Sequence, residues 1–194
     1  MGHVVELPEL PDPGERGLPR YSQRPLPSYR YVPGRKPHPT RDPRGHSYLP
    51  QSLAQSLAQS QSQRHPPWRP EDWRHLDDWL YGVDLFHRYY FWESHEAWEG
   101  LWAVAERESA PSLLLQGLIQ VAAACLKLHL GSGDGARSLS TSGLQKLHWV
   151  ATATPQLLGL DVWTLLPELS AYFAQRWLDA SPRLTLDVPI LRLR

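Results

Sequence analysis

Residues 113–128 carry only three polar side chains, Gln116, Gln120 and Lys127, and these fall on one line when the segment is wound as a helix. Leucines, alanines, Ile119, Val121 and Cys125 fill the rest of the circumference. A helix apolar on nearly every side must be surrounded by others, so it belongs at the centre of a bundle. Its neighbours read as helices too. Pro70 fits a first turn, Glu71 and Asp72 suit the positive helix end, and Trp73, Leu76, Trp79, Leu80 and Val83 recur at helical spacing. Further helices are predicted over about 91–107, 111–131 (with Gly131 as a left-handed cap), 134–152 and 162–179, the last with its first turn at Pro167. The fold class expected is all-α, a compact bundle of about five helices. Residues 184–193 alternate apolar and polar side chains and read as an extended strand lying on that bundle.

What precedes the bundle is different in kind. Of 19 prolines, 14 lie in residues 1–70, while all nine tryptophans lie between Trp68 and Trp177. Twenty basic residues balance 20 acidic ones over 194 residues, but up to Arg69 the count is ten basic against five acidic, and beyond it ten against fifteen. The neutral total is therefore a basic arm plus an acidic body, which argues against a uniformly basic nucleic-acid binder and favours docking of arm on body. The arm reads as a disordered lead over 1–17, a turn and polyproline II stretch over 18–50, and a Gln/Ser/Leu spacer over 51–63. The division expected is 1–69 arm, 70–180 bundle and 181–194 tail. A single cysteine excludes a disulfide framework, and Cys125 reads as a small buried hydrophobe. No basic start leads into an apolar run at the N-terminus, and Gln116, Gln120 and Lys127 interrupt the longest apolar stretch. The expectation is a cytoplasmic protein with no membrane contact.

The chemistry-bearing segment is 91–127. On the helix over 91–107, Phe91, Trp98, Trp102 and Ala105 make an apolar stripe. His95 falls inside it, Glu99 at its edge, Glu96 further round, and Glu93 points away. A short connection at 108–110 makes this helix antiparallel to the central one. Matching levels puts Trp102 by Gln116, Trp98 and Glu99 by Gln120, His95 by Ala123, and Lys127 level with Phe91. If the polar line faces this helix, His95, Glu96, Glu99, Gln116, Gln120 and Lys127 converge, with Gly117 letting the backbones approach. Such a cluster serves as a satisfied structural network, or as a line facing solvent, or as acid–base machinery built on His95 with Glu99. A metal is the weaker reading. His-Glu-x-x-Glu lacks the second His of the zinc-protease helix, no second Glu-x-x-His supplies a carboxylate-rich site, and no cofactor is expected.

Two other segments invite a function. Arg35, Lys36, His38, Arg41, Arg44 and His46 with Tyr29, Tyr31 and Tyr48 make a basic-aromatic strip of the kind that contacts nucleic acid, though a proline-stiffened arm lying on an acidic body explains it more simply. The glycines at 131, 133 and 135 have no preceding strand and no Lys-Ser/Thr, so they read as a helix–helix turn and not a phosphate loop.

The residues from about 79 to 150 resemble the domain of unknown function 309 family. The resemblance is carried by Leu85-Phe86, by Tyr90-Phe91-Trp92-Glu93-Ser94-His95-Glu96-Ala97-Trp98-Glu99-Gly100-Leu101-Trp102, and by Leu115-Gln116-Gly117-Leu118-Ile119-Gln120-Val121-Ala122. The arm residues Tyr31-Val32-Pro33-Gly34, Pro37-His38-Pro39 and Gly45-His46-Ser47-Tyr48 are similar to a motif that precedes the domain in some members. Where the family's first turn often carries a glycine, this chain has Arg88-Tyr89. The resemblance implies a small all-α bundle without an assigned activity, and its first hairpin is similar to a tetratricopeptide unit, which would suggest peptide or protein binding. The reading is a binding or scaffold module with a protein or peptide partner and an open possibility of self-association, its ligand-facing candidates being Trp98, Trp102, Gln116, Gln120 and Lys127. The alternative is a hydrolase-like or other small-molecule enzyme using His95 with Glu96 or Glu99.

Overall fold

The computed structural model describes residues 9–12, 17–50 and 68–194. The spacer expected over 51–63, and all of the 1–17 lead except 9–12 and 17, lie outside them. After a short 3-10 helix, Pro70–His75, five α-helices follow: α1 (Asp77–His87), α2 (Phe91–Val104), α3 (Ala110–His129), α4 (Gly133–Ala153) and α5 (Val162–Arg176). A two-stranded antiparallel hairpin, β1 (Gln156–Leu157) and β2 (Leu160–Asp161), connects α4 to α5.

The apolar segment behaves as its composition demands. Helix α3 packs between α2 and α4, with Leu114, Leu115, Leu118, Val121, Ala122 and Leu128 fully buried. It starts at Ser109, whose hydroxyl accepts from the Ser112 amide, and ends before Gly131 at φ +72°. At 20 residues and mean hydropathy 1.4 it is long and apolar enough to cross a membrane, but 61% of that stretch is covered by the rest of the protein. Cys125 is wholly buried within it, and burial pushes its thiol well above the usual range.

Helices α3 and α4 approach closely at Gly117 and Gly143. A Cβ on Gly143 would sit 2.8 Å from the Gly117 carbonyl oxygen. The close approach expected between α2 and α3 at Gly117 is thus made between α3 and α4. On the other flank, a Cβ on Gly82 in α1 would overlap the Trp98 indole, so this glycine seats Trp98 between α1 and α2.

Several boundaries differ from expectation. The segment opening at Pro70 is two helices, and α2 stops at Val104 instead of continuing to 107. Helix α5 begins at Val162, and Pro167 lies inside it. The reason is Asp161, whose carboxylate accepts from the Thr164 amide at 3.1 Å and caps the helix before the proline is reached. The tail is not a strand. It makes one isolated bridge, Leu160 to Leu193, because β2 is only two residues long. It is nevertheless docked: Leu191 is buried and donates its amide to His87 Nε2 at 3.0 Å.

The arm joins the same core. Leu10 and Val32 are buried in one cluster with α1, α2 and the tail. The Asp84 carboxylate on α1, wholly buried, accepts the Tyr21 amide at 2.9 Å and the Ser22 amide at 2.8 Å. The Tyr81 and Tyr90 hydroxyls donate to the carbonyls of Pro25 and Pro27, and Arg24 pairs with Asp77 and Asp78. Prolines cannot donate, so their carbonyls and the few remaining amides carry the docking.

Two stability predictions follow from this packing. Gly143→Ala should lower stability by about 1–3 kcal/mol in a denaturant titration, although alanine is ordinarily the better helix former; a stabilised variant would contradict the close crossing. Burial, with Arg88 adding to it, depresses His87 from its ordinary value to about 4. The unfolded chain therefore binds the extra proton first, and stability should fall as pH drops from about 6.5 towards 4, by up to roughly 3 kcal/mol. His87→Gln, which keeps an acceptor for Leu191, should melt with a smaller pH dependence across that window; equal pH profiles would contradict it.

Candidate functional site

Helix α2 starts from a strained turn. Tyr89 takes φ +62°, the left-handed conformation usual for glycine, and is held there by burial and by stacking on Phe91 at 5.2 Å between ring centroids. From that turn the first two and a half turns of α2 carry Trp92, Glu93, His95, Glu96 and Glu99 along the edge of the arm.

His95, Glu96 and Glu99 come together. One donor atom from each lies within 4.8 Å of the others, and His95 Nε2 is 3.3 Å from Glu96 Oε1. His95 is half-buried, while both glutamates are exposed. Trp92 meets the His95 ring edge-on at 5.7 Å. Partial burial raises Glu96 above the ordinary carboxylate range; His95 opposes the shift, Glu99 and Glu93 add to it, and Arg41 of the arm opposes it. The cluster faces outward, with Glu96 and Glu99 open to solvent.

The α3 residues expected beside this cluster are placed elsewhere. Gln120 accepts from Lys146 Nζ on α4 at 3.1 Å. Lys127 is exposed towards the end of α3, its stem near Gly135. Gln116 does meet Trp102, in a cavity of about 380 Å³ at the α2–α3 turn that Ala105, Arg107 and Leu113 also line. Trp102 is 37% exposed there. Trp98 is pure core: its ring lies 6.0 Å from those of Trp79 and Phe86, and its Nε1 donates to the Trp79 carbonyl at 3.4 Å. The separation arises because Gln120 and Lys127 border α4, at Gly143 and Gly135, while only Gln116 stays beside α2.

Glu93 is the residue the helical projection misplaced. It does not point away into water; it is buried under the arm, where Oε1 accepts the Tyr31 amide at 2.8 Å and faces His46 Nε2 at 3.0 Å. Its Oε2 is buried and has no hydrogen-bond partner among the described residues. Burial raises Glu93, and the bonds from His46 and Tyr31 pull the other way. A projection of α2 alone has no means of seeing that the outer face is roofed by a segment some fifty residues away in sequence. The signal that was available is the pairing of an arm rich in His with an acidic helix start.

The basic-aromatic strip is largely committed to this roof. Tyr31 and His38 pack on Trp92 at 5.3 and 5.4 Å, and His46 meets Glu93. Tyr29 donates to the Pro37 carbonyl, and Arg44 pairs with Asp42 at 2.9 Å. Arg41 remains exposed at the edge of the α2 cluster.

Residues 79–139, from α1 to the first turns of α4, match the family described as a domain of unknown function (DUF309). No curated protein matches the chain.

Glu93→Ala should leave the Tyr31 amide and His46 without their acceptor and loosen the arm. Stability should fall by about 1–3 kcal/mol, and limited trypsin cleavage at Arg35 and Arg41 should speed up before the bundle is cut. Cleavage at the wild-type rate would contradict the roofing role.

Proposed function

We propose that this chain is a helical binding module whose working site is the α2 face bearing His95, Glu96 and Glu99, and that the site takes a divalent metal ion. The observation that carries this reading is the convergence of one imidazole nitrogen and two carboxylates within 4.8 Å on a face open to solvent. Donors around an ion at about 2.1 Å sit roughly 3–4 Å apart, so small rotations of two exposed glutamates bring them into range. One nitrogen and two oxygen donors suit Zn²⁺, Mn²⁺ or Fe²⁺ better than Ca²⁺ or Mg²⁺. Three protein ligands on an open face leave positions for water or a ligand. The charge balance favours the ion as well, since it relieves the Glu96–Glu99 repulsion that Arg41 offsets only in part.

The hydrolase-like alternative rests on the same three residues. A metal-bound water on that face would supply the nucleophile, with His95 and the glutamates as ligands and not as acid and base. A second binding reading is favoured by the cavity at the α2–α3 turn, where exposed Trp102 and Gln116 offer an apolar wall and an amide to a protein or peptide partner.

The test is metal analysis of the untagged chain, followed by calorimetric titration with Zn²⁺ and Mn²⁺. One ion per chain is expected, with affinity falling at least about tenfold in His95→Ala and in Glu96→Gln/Glu99→Gln. His148→Ala, at an exposed position on α4, should bind as the wild type does. Absence of a stoichiometric ion, or undiminished binding by His95→Ala, would overturn the reading.

A further inference from the structure

A cavity of about 450 Å³, which none of His95, Glu96 and Glu99 lines, lies between the arm and Tyr90, the residue before α2. Among the described residues, three cations line it, Arg30, Arg35 and Lys36, against one carboxylate, Glu9, with Tyr29 and Tyr90 on its walls. The sequence Val32-Pro33-Gly34-Arg35 explains how the cations are held there. The Arg35 amide donates to the Val32 carbonyl at 3.0 Å, and Gly34 takes φ +79°, which makes this a type II turn with proline and glycine at the positions that turn requires. The Lys36 amide donates to the same carbonyl at 3.2 Å, and Val32 itself is anchored in the core. Arg30 is fixed from the opposite wall by donating to the Pro11 carbonyl at 2.7 Å.

The tyrosine hydroxyls do not answer this charge. Tyr29 donates to the Pro37 carbonyl and Tyr90 to the Pro27 carbonyl. Arg35 is left short: its Nη1 is buried and has no acceptor among the described residues. A buried guanidinium nitrogen without an acceptor is costly, and it marks a place where an anion would complete the hydrogen bonding. Guanidinium forks match phosphate oxygens, and an excess of two positive charges suits a dianion better than a single carboxylate. The volume exceeds that of a phosphate ion and leaves room for a ring against Tyr29 and Tyr90.

We infer that the cavity between arm and α2, lined by Arg30, Arg35 and Lys36, binds a small phosphate monoester carrying an apolar or aromatic group. This site is separate from the His95 cluster and does not depend on a metal there. The test is calorimetric titration of the full chain at low salt with phenyl phosphate, and with benzoate as the carboxylate counterpart. Phenyl phosphate should bind at one site per chain and at least tenfold more tightly than benzoate. Arg35→Gln should weaken it at least tenfold and Lys36→Gln several-fold, whereas Arg137→Gln on α4 should leave it unchanged. Lys36 is exposed, so its substitution decides the matter if Arg35→Gln does not fold. No saturable binding of phenyl phosphate, benzoate binding as tightly, or wild-type affinity in the two cavity variants would each overturn the assignment.

Discussion

Two buried carboxylates on the first helical hairpin hold the rest together. Asp84 on α1 accepts the Tyr21 and Ser22 amides, and Glu93 on α2 accepts the Tyr31 amide and faces His46. Carboxylates are costly to bury and remain only where donors meet them. Here the donors are backbone amides of a proline-rich segment that has no helix or sheet of its own to satisfy them. Arm and hairpin therefore need each other: the carboxylates give the arm a fixed path, and the arm relieves the carboxylates.

That arrangement sets up both candidate sites. By roofing Glu93, the arm turns one side of α2 into core and leaves His95, Glu96 and Glu99 on the side that stays open, with Arg41 at its rim. By turning sharply at Pro33-Gly34, it brings Arg35 and Lys36 to the wall of a cavity that Tyr90 also lines. The helical domain matched by the family thus supplies an acidic and imidazole face, and the segment ahead of it supplies cations. A bundle lacking the arm would lose the second site and would expose two carboxylates that burial now perturbs.

Much of the fold was legible because helical period and polar lines are local. The nearly all-apolar surface of 113–128 identifies the central helix, and Gly131 its end. Other features depend on longer-range contacts that no local pattern reveals. The β1–β2 hairpin turns on Leu158 and Gly159, both at positive φ, and a leucine there carries no turn signal; it is tolerated because the Trp79 indole fixes its carbonyl. The start of α5 had a readable cap in Asp161, overshadowed by Pro167. At the site, the His95, Glu96 and Glu99 grouping follows from spacing on one helix. The facing of α3 does not, because Gly117 meeting Gly143 and not α2 depends on which neighbour comes closer. Glu93 was unreadable from α2 alone, since its burial is made by the arm.

The arm is part of the folded body through those carboxylates. Amide hydrogen exchange on the full chain measures this directly at Tyr21, Ser22 and Tyr31. Protection of roughly 100-fold or more is expected at all three, lost together with the protection of α1 and α2. Exchange at the rate of an unstructured peptide at these three amides, with the bundle still protected, would contradict it.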